Sequence, residues 1–390
     1  MIYFDFAATT PLDPEAAEVY VKAATDFFGN SSSLHDVGSQ ATTLLEHCRA
    51  ELASLLGIDP TSLYFTSGGS EGNFLAIEAL LSAKEKAGKH IIAGIAEHSS
   101  IYGVLNRLEK EGFEITWLPF TSDGIIDLDQ LLRAIRPDTV LLCIQHVNSE
   151  IGTIQPIEEI GRACREHKIL FHSDFVQSFG KIEIRQFIPF LTSFSFSGHK
   201  IYGPKGVGGV YIQPGVAWHS FFPGTSHEKG LRPGTINVPG IAAMATAAQK
   251  IVQSIPENFL KFQQLREQFF KTLEPIKDHI VVYQASENSQ LPHIIGMRII
   301  GIEGQWMMLE CNRLGYAIST GSACSMGLQA PSKAVQALGV GNDAAKGFFR
   351  ISFGQHTTTD EVVRLASGIV RIVEEFTKST IKKKQEVMLE

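Results

Sequence analysis

The stretch Ser193-Phe-Ser-Phe-Ser-Gly-His-Lys-Ile-Tyr-Gly-Pro-Lys-Gly-Val-Gly-Gly-Val210 reads as a strand, a glycine-rich turn and the start of a second strand. The first strand, with Phe194 and Phe196, delivers Ser197, Gly198, His199 and Lys200 into the turn. Lysine seldom belongs at the end of a buried strand, because desolvation penalises its charge. An amine held there can lose its proton and act as a nucleophile able to form a Schiff base. A surface lysine that happens to follow a strand is the alternative. The Ser197 hydroxyl and the His199 imidazole suit a phosphate, and the glycines allow the backbone to approach a ligand.

Outward from this stretch, short apolar strands alternate with amphipathic helices between about residues 60 and 215. Strands are expected over 63–66, 90–94, 114–118, 140–145, 169–173, 193–197 and 208–212, with helices over 74–86, 101–111, 128–135 and 157–167. This alternation implies an α/β fold with a mostly parallel sheet covered by helices, and ligands on such sheets bind beyond the carboxyl ends of the strands. An alanine-rich helix over 238–255 leads onward. From Pro256 the rhythm changes to a smaller α+β pattern: helices over 259–273 and 305–312, strands over 280–283, 293–300 and 348–353, and a final helix from Thr359.

A chain of 390 residues suits two domains. At 44% hydrophobic and 19% charged it has the composition of an ordinary soluble protein, with no apolar run long enough to span a membrane. The opening Met1-Ile-Tyr-Phe-Asp-Phe has no basic or signal-like character, so a cytoplasmic address is expected. A net charge of −7 argues against nucleic acid as the main partner. The basic run Lys382, Lys383 and Lys384 suits a solvated tail. Five cysteines without a CxxC pair fit reduced thiols. Cys48, Cys143, Cys164 and Cys311 lie in apolar or amphipathic contexts and read as small buried hydrophobes. Cys324, in Gly321-Ser-Ala-Cys-Ser-Met-Gly327, lies instead in a small, polar loop, where a thiol is a candidate nucleophile.

Further candidates fall at other strand ends. Ser67-Gly-Gly-Ser-Glu-Gly-Asn73 passes from a strand into a helix, where Gly68, Gly69 and the Ser70 hydroxyl make either a phosphate seat or a capped tight turn. Asp174, with Gln177 after it, could hold a ring nitrogen protonated while the amide meets a ring hydroxyl, or could cap a helix. His98 could stack on a flat ring or cap a turn. Asn148 follows another strand. Phosphate seat, stacking histidine, carboxylate and strand-end lysine together describe a site for pyridoxal phosphate.

These segments resemble the pyridoxal-phosphate-dependent cysteine desulfurases of the NifS/IscS family, which are class-V aminotransferase-like. The resemblance runs from Asp5-Phe-Ala-Ala-Thr-Thr-Pro11 through Ser197-Gly-His-Lys200 and Arg232-Pro-Gly-Thr-Ile-Asn-Val238 to Gly321-Ser-Ala-Cys324 and Arg350-Ile-Ser-Phe-Gly354. It implies the aspartate-aminotransferase fold (fold type I) and a homodimer. Residues 13–255 would form the large cofactor-binding domain, with 1–12 and 256–390 forming the small domain that carries the cysteine loop. By resemblance, Lys200 would hold the cofactor as an aldimine. Gly69, Ser70, Ser197 and His199 would hold the phosphate, with Thr235 reaching it from the neighbouring subunit. Asp174 would pair with the pyridinium nitrogen, Gln177 with the ring hydroxyl, and His98 would stack on the ring and assist proton transfer. Arg350 and Asn148 would clamp the carboxylate of L-cysteine. Cys324 would take the sulfur as a persulfide, leaving L-alanine, and pass it to an iron–sulfur scaffold or an iron–sulfur enzyme. The run from Cys324 to Lys333 resembles a NifS-like branch associated with NAD synthesis, whose recipient is an enzyme such as quinolinate synthase.

Departures from the family pattern are few. Phe175 replaces a small residue behind the ring, and Gly72 replaces the usual Ser or Ala, which bears on the hydrogen bonds around the phosphate. Asn30-Ser-Ser-Ser33 lacks the usual proline, and Phe4 and Phe6 occupy positions often held by other residues. A selenocysteine lyase or an aminotransferase is the alternative within the fold, and a binding protein that has lost catalysis is the alternative outside it. The loop thiol argues against transamination, and lysine and thiol together argue against lost catalysis.

Overall fold

A computed structural model describes residues 1–320 and 331–387, with side chains through residue 379. The chain opens with β1 (Ile2–Tyr3), α1 (Pro14–Asp26) and α2 (Asp36–Leu56). Asp13 starts α1 by accepting hydrogen bonds from the N–H groups of Glu15 and Ala16, with Pro14 at the first helical position. There follow β2 (Leu63–Thr66), α3 (Gly69–Ser82), β3 (His90–Gly94), α4 (Ser99–Lys110), β4 (Glu114–Leu118), α5 (Leu128–Ala134) and β5 (Thr139–Cys143). Next come α6 (Ile157–Glu166), β6 (Leu170–Asp174), β7 (Ser193–Ser197) and β8 (Gly208–Ile212).

These strands form one seven-stranded sheet in the order β2-β8-β7-β6-β5-β3-β4. Pairs from β4 through β7 are parallel, whereas β8 runs antiparallel to both β7 and β2. Every residue of β3, β5, β7 and β8 is buried, as expected for strands covered on both faces. Because β7 and β8 are neighbours joined directly, the turn between them emerges at the end of the sheet where β6 also stops. That is the place to which Lys200 and Asp174 are both delivered.

The second half begins with α7 (Val238–Gln253) and α8 (Ile255–Thr272), then β9 (Ile280–Tyr283), β10 (Ile294–Ile299), α9 (Gly304–Arg313) and β11 (Tyr316–Ala317). It closes with α10 (Lys333–Ala337), α11 (Asn342–Ala345), β12 (Phe348–Ser352) and the long α12 (Thr359–Val387). Strands β12, β10 and β9 make a separate antiparallel sheet, and β1 pairs in parallel with β11. A second core of α8, α9 and α12 residues on this sheet contains Phe269, Met297, Phe349, Phe353 and Leu365. Phe4 reaches into it from the N-terminus with no solvent exposure, edge-on to Phe353. Among the described residues no helix is long and apolar enough to cross a membrane.

His172 and His146 are fully buried in the large sheet's core. His172 on β6 meets Ser193 Oγ at 2.8 Å and Asn73 Oδ1 at 3.0 Å. His146 lies between Phe175 and Phe187, and neither of its ring nitrogens has a hydrogen-bond partner among the described residues. Burial pushes both imidazoles down from 6.5 to about 3. Their folded values are depressed, so between about 6.5 and about 3 the unfolded chain binds protons that the folded chain refuses. Stability is therefore expected to fall as pH falls through this window, by at most ~2.7 kcal/mol per pH unit from the two groups together. Urea titrations of the wild type and of His146→Leu at several pH values check this, the variant showing a shallower slope. Phe4→Ala is expected to lower unfolding free energy by about 3–5 kcal/mol, read from the denaturation midpoint. A loss below 1 kcal/mol would show that the N-terminal strand is only loosely held.

Candidate active site

Lys200 closes a single turn of 3-10 helix, Gly198–Lys200, immediately after β7. Its Nζ donates to the carbonyls of Ala7 at 2.6 Å and Ala8 at 2.7 Å. The same N-terminal segment holds the neighbours of the lysine. Thr9 Oγ1 lies 3.1 Å from His199 Nδ1, and the Thr10 N–H and hydroxyl both donate to His199 O. Gln177 Nε2 donates to Ala7 O at 2.8 Å. Burial first, and then Lys200 and Lys181, bring the His199 imidazole down to about 4. Burial and the neighbouring Lys200 also lower Lys181, to about 7; its amine has one long contact, 3.5 Å to Gln177 Oε1.

Asp174 ends β6 and is buried. Its Oδ1 accepts the N–H of Val176 at 2.9 Å, and its Oδ2 accepts from Asn73 Nδ2 at 2.8 Å. Asn73, fully buried on α3, also donates from Nδ2 to Ser100 Oγ at 2.9 Å. Its Oδ1 receives His172 Nε2 and the hydroxyl of Ser195. Ser100 Oγ lies 2.8 Å from Nδ1 of the half-buried His98, which caps α4. Burial lowers the His98 imidazole; Asp174 opposes the shift, while Lys200 and Lys333 reinforce it.

The start of α3 faces the same region and has no side-chain cap, so its first N–H groups are available to an anion. Ser197 Oγ is buried and without a partner among the described residues. Gly69 is required by close approach: a Cβ there would lie 2.4 Å from Val176 Cγ2, in the turn that follows Asp174. Ser70 is exposed one residue further along. At Gly72 a Cβ would press on Val210 Cγ2 at 3.0 Å and Ser195 Cβ at 3.1 Å, so this position faces the sheet.

Arg350 on β12 is almost wholly buried. Nη2 pairs with Asp5 Oδ1 at 2.6 Å and Nη1 donates to Ser149 O at 2.8 Å, while Nε has no partner among the described residues. The guanidinium therefore keeps an edge with hydrogen-bonding capacity to spare. Asn148, next to Ser149, accepts the N–H groups of Glu150 and Ile151 at Oδ1 and reaches Ala96 O with Nδ2 at 3.4 Å. The backbone of Arg350 exchanges two hydrogen bonds with that of Ser319. Ser332 caps α10 and donates to the buried carboxylate of Glu150, and Lys333 Nζ lies 3.3 Å over the Tyr102 ring.

The fold thus brings Lys200, His199, Ser197, Asp174, Gln177, His98 and Gly69 to one end of the large sheet, with Arg350 linked to them through Asp5 and Asn148 lying beside the Ser149 carbonyl that Arg350 holds. Thr235 does not join them: it is exposed just ahead of α7. Cys324 lies outside the described residues. Phe175 points into the core, stacked against Phe194 and tilted on His146. Sequence reasoning passed over Asn73 and Asp5. A polar residue near the start of an apolar helix marked the one, and an acid between Phe4 and Phe6 marked the other.

Residues 2–365 match the aminotransferase class-V family. The chain is 46% identical over 367 residues to a Bacillus subtilis protein named for the NifS cysteine desulfurases, covering 94% of this chain and 93% of that one. It is 37% identical to a cysteine desulfurase IscS of Dictyoglomus turgidum, over 96% of this chain and 94% of the other. Among solved structures, a NifS-like protein superposes with a TM-score of 0.88 at 30% identity, covering 96% of this chain and 99% of that one. The chain belongs to the class-V aminotransferase family, within its NifS/IscS branch.

Proposed function

We propose that the protein is a pyridoxal-phosphate-dependent cysteine desulfurase that converts L-cysteine to L-alanine and keeps the sulfur as a persulfide on Cys324. The observation that carries this reading is Asp174, a buried carboxylate at the end of β6 that accepts from two uncharged donors, the Val176 N–H and the Asn73 amide. A buried carboxylate in such a place calls for a cationic N–H, and a protonated pyridine ring offers one. The Ser197 hydroxyl, without a partner among the described residues, and the start of α3, with no side-chain cap among them, suit the cofactor's phosphate, which fits the same group.

Bound pyridoxal phosphate supplies an electron sink for the substrate's α-carbon. Ser197, His199, Gly69 and Ser70 would bind the phosphate, Gln177 the ring hydroxyl, and His98 would cover the ring face. Asp174 keeps the ring nitrogen protonated. Arg350 and Asn148 orient the substrate carboxylate, the arginine with its spare Nε–H edge. Lys200, which holds the cofactor before substrate arrives, takes the proton from the α-carbon. The Cys324 thiolate attacks the substrate sulfur, the sulfur–carbon bond breaks, and its electron pair returns to the carbon skeleton, which takes up protons and leaves as alanine.

The same reading covers organisation and partners. Residues 13–255 act as the large domain, and 1–12 with 256–390 as the small one. The working unit is a homodimer, in which the exposed Thr235 reaches the neighbouring subunit's phosphate. The protein works in the cytoplasm and hands sulfur to an iron–sulfur scaffold or iron–sulfur enzyme.

The test is to incubate the purified protein with L-cysteine and follow alanine, visible absorbance and persulfide by mass spectrometry. Cys324→Ala is expected to retain the absorbance band and to form no persulfide, whereas Lys200→Ala loses the band. Undiminished sulfide release by Cys324→Ala would exclude the thiol from the reaction and favour a lyase.

A further inference from the structure

We infer that Ser100 is a positioning residue for His98: together with Asn73 it fixes the imidazole as the tautomer protonated at Nε2 and ties it to Asp174. The assignment follows from counting hydrogens. Asn73 Nδ2 has two, one directed at Asp174 Oδ2 at 2.8 Å and one at Ser100 Oγ at 2.9 Å. Turning the amide over would set its carbonyl against the Asp174 carboxylate, so the orientation is dictated by charge. Its Oδ1 meanwhile accepts from His172 Nε2 and Ser195 Oγ, so all the hydrogen-bonding capacity of a fully buried side chain is engaged.

Ser100 Oγ, already an acceptor, has a single hydrogen left, and His98 Nδ1 lies in reach of it at 2.8 Å. The Ser100 backbone N–H converges on the same nitrogen at 3.2 Å. Two donors on Nδ1 leave no place for a proton there, and a neutral ring must carry its hydrogen on Nε2. An Nδ1 proton would face the Ser100 N–H and turn the Ser100 hydroxyl away. The charged groups acting on this ring are Asp174, Lys200 and Lys333, and burial outweighs them in favouring the neutral form.

The consequence rests on the reading of His98 as the residue over the cofactor ring. His98 offers a bound ligand a hydrogen-bond donor at Nε2, and Nδ1 is closed to proton transfer. The carboxylate that faces the ring nitrogen is held directly by the Asn73 amide and the histidine that covers the ring is tied to the same amide through Ser100, so their positions are set together.

The experiment is nitrogen-15 NMR of the full-length protein as purified, with labelled histidine and the His98 signals identified by their loss in His98→Gln. The expected spectrum shows His98 with a bare Nδ1 and a protonated Nε2. Ser100→Ala is expected to give a mixture of tautomers and a higher titration midpoint for His98, because a hydrogen bond to the neutral form is gone. Ser100→Thr, which retains the hydroxyl, should restore the original signals. A wild-type ring protonated at Nδ1, or a Ser100→Ala spectrum identical to wild type, overturns the assignment. Alanine production from cysteine, measured on the same samples, judges the desulfurase reading separately: its absence with the expected spectra leaves the tautomer assignment standing.

Discussion

The hydrogen bonds from Lys200 Nζ to the carbonyls of Ala7 and Ala8 are the constraint around which the site is arranged. The two acceptors lie in a turn over residues 6–8, closed by the Ala8 N–H on Asp5 O, so neither carbonyl moves singly and whatever fixes residues 5–10 fixes the lysine. Phe4 is locked into the second core, Ser352 Oγ receives the Ala7 N–H, and Thr10 receives the Tyr202 N–H. From that segment Asp5 reaches Arg350, Ala7 also receives Gln177, and Thr9 meets His199. Residues that the chain presents on β6, β7 and β12 are thus registered against one short stretch near the N-terminus. The stretch contributes mostly backbone, and backbone acceptors are insensitive to pH and to the identity of their small side chains.

Much of this was legible in the sequence, and the reason is local. Strands β2, β3, β4, β7 and β8 lie where the apolar runs end in glycine or polar residues, and the residues at their ends are those that reach the site. Helix α3 begins at Gly69, ahead of the expected start at residue 74, because an uncapped, glycine-rich first turn has none of the usual signals. Helix α1 escaped notice for a different reason: only Ala16 and Ala23 are buried on it, so it has no apolar stripe to read. The β5 and β6 boundaries moved by one or two residues, within apolar runs that offer no punctuation.

The polar network was not legible for a physical reason as well. Asn73 and Asp174 are 101 residues apart, and Asp5 and Arg350 are 345 apart, so neither pair leaves any trace in local pattern. What the sequence carries of such a contact is only one half of it: a polar residue where burial calls for an apolar one. Recognising the half requires knowing the other. The histidines make the same point. His98 and His172 differ in role through the partners the fold gives them, while their sequence surroundings are equally strand-adjacent.

The exchange of backbone hydrogen bonds between Arg350 and Ser319 separates two duties carried by one position. The guanidinium faces Asp5 and Ser149, and the main chain holds the residue that leads into segment 321–330. Any amino acid except proline can make the second set of bonds. The side chain at 350 could therefore be altered without loss of the backbone pairing between residues 350 and 319. Position 350 is in that sense a place where the chain can change what its side chain meets while β12 keeps its hold on residue 319.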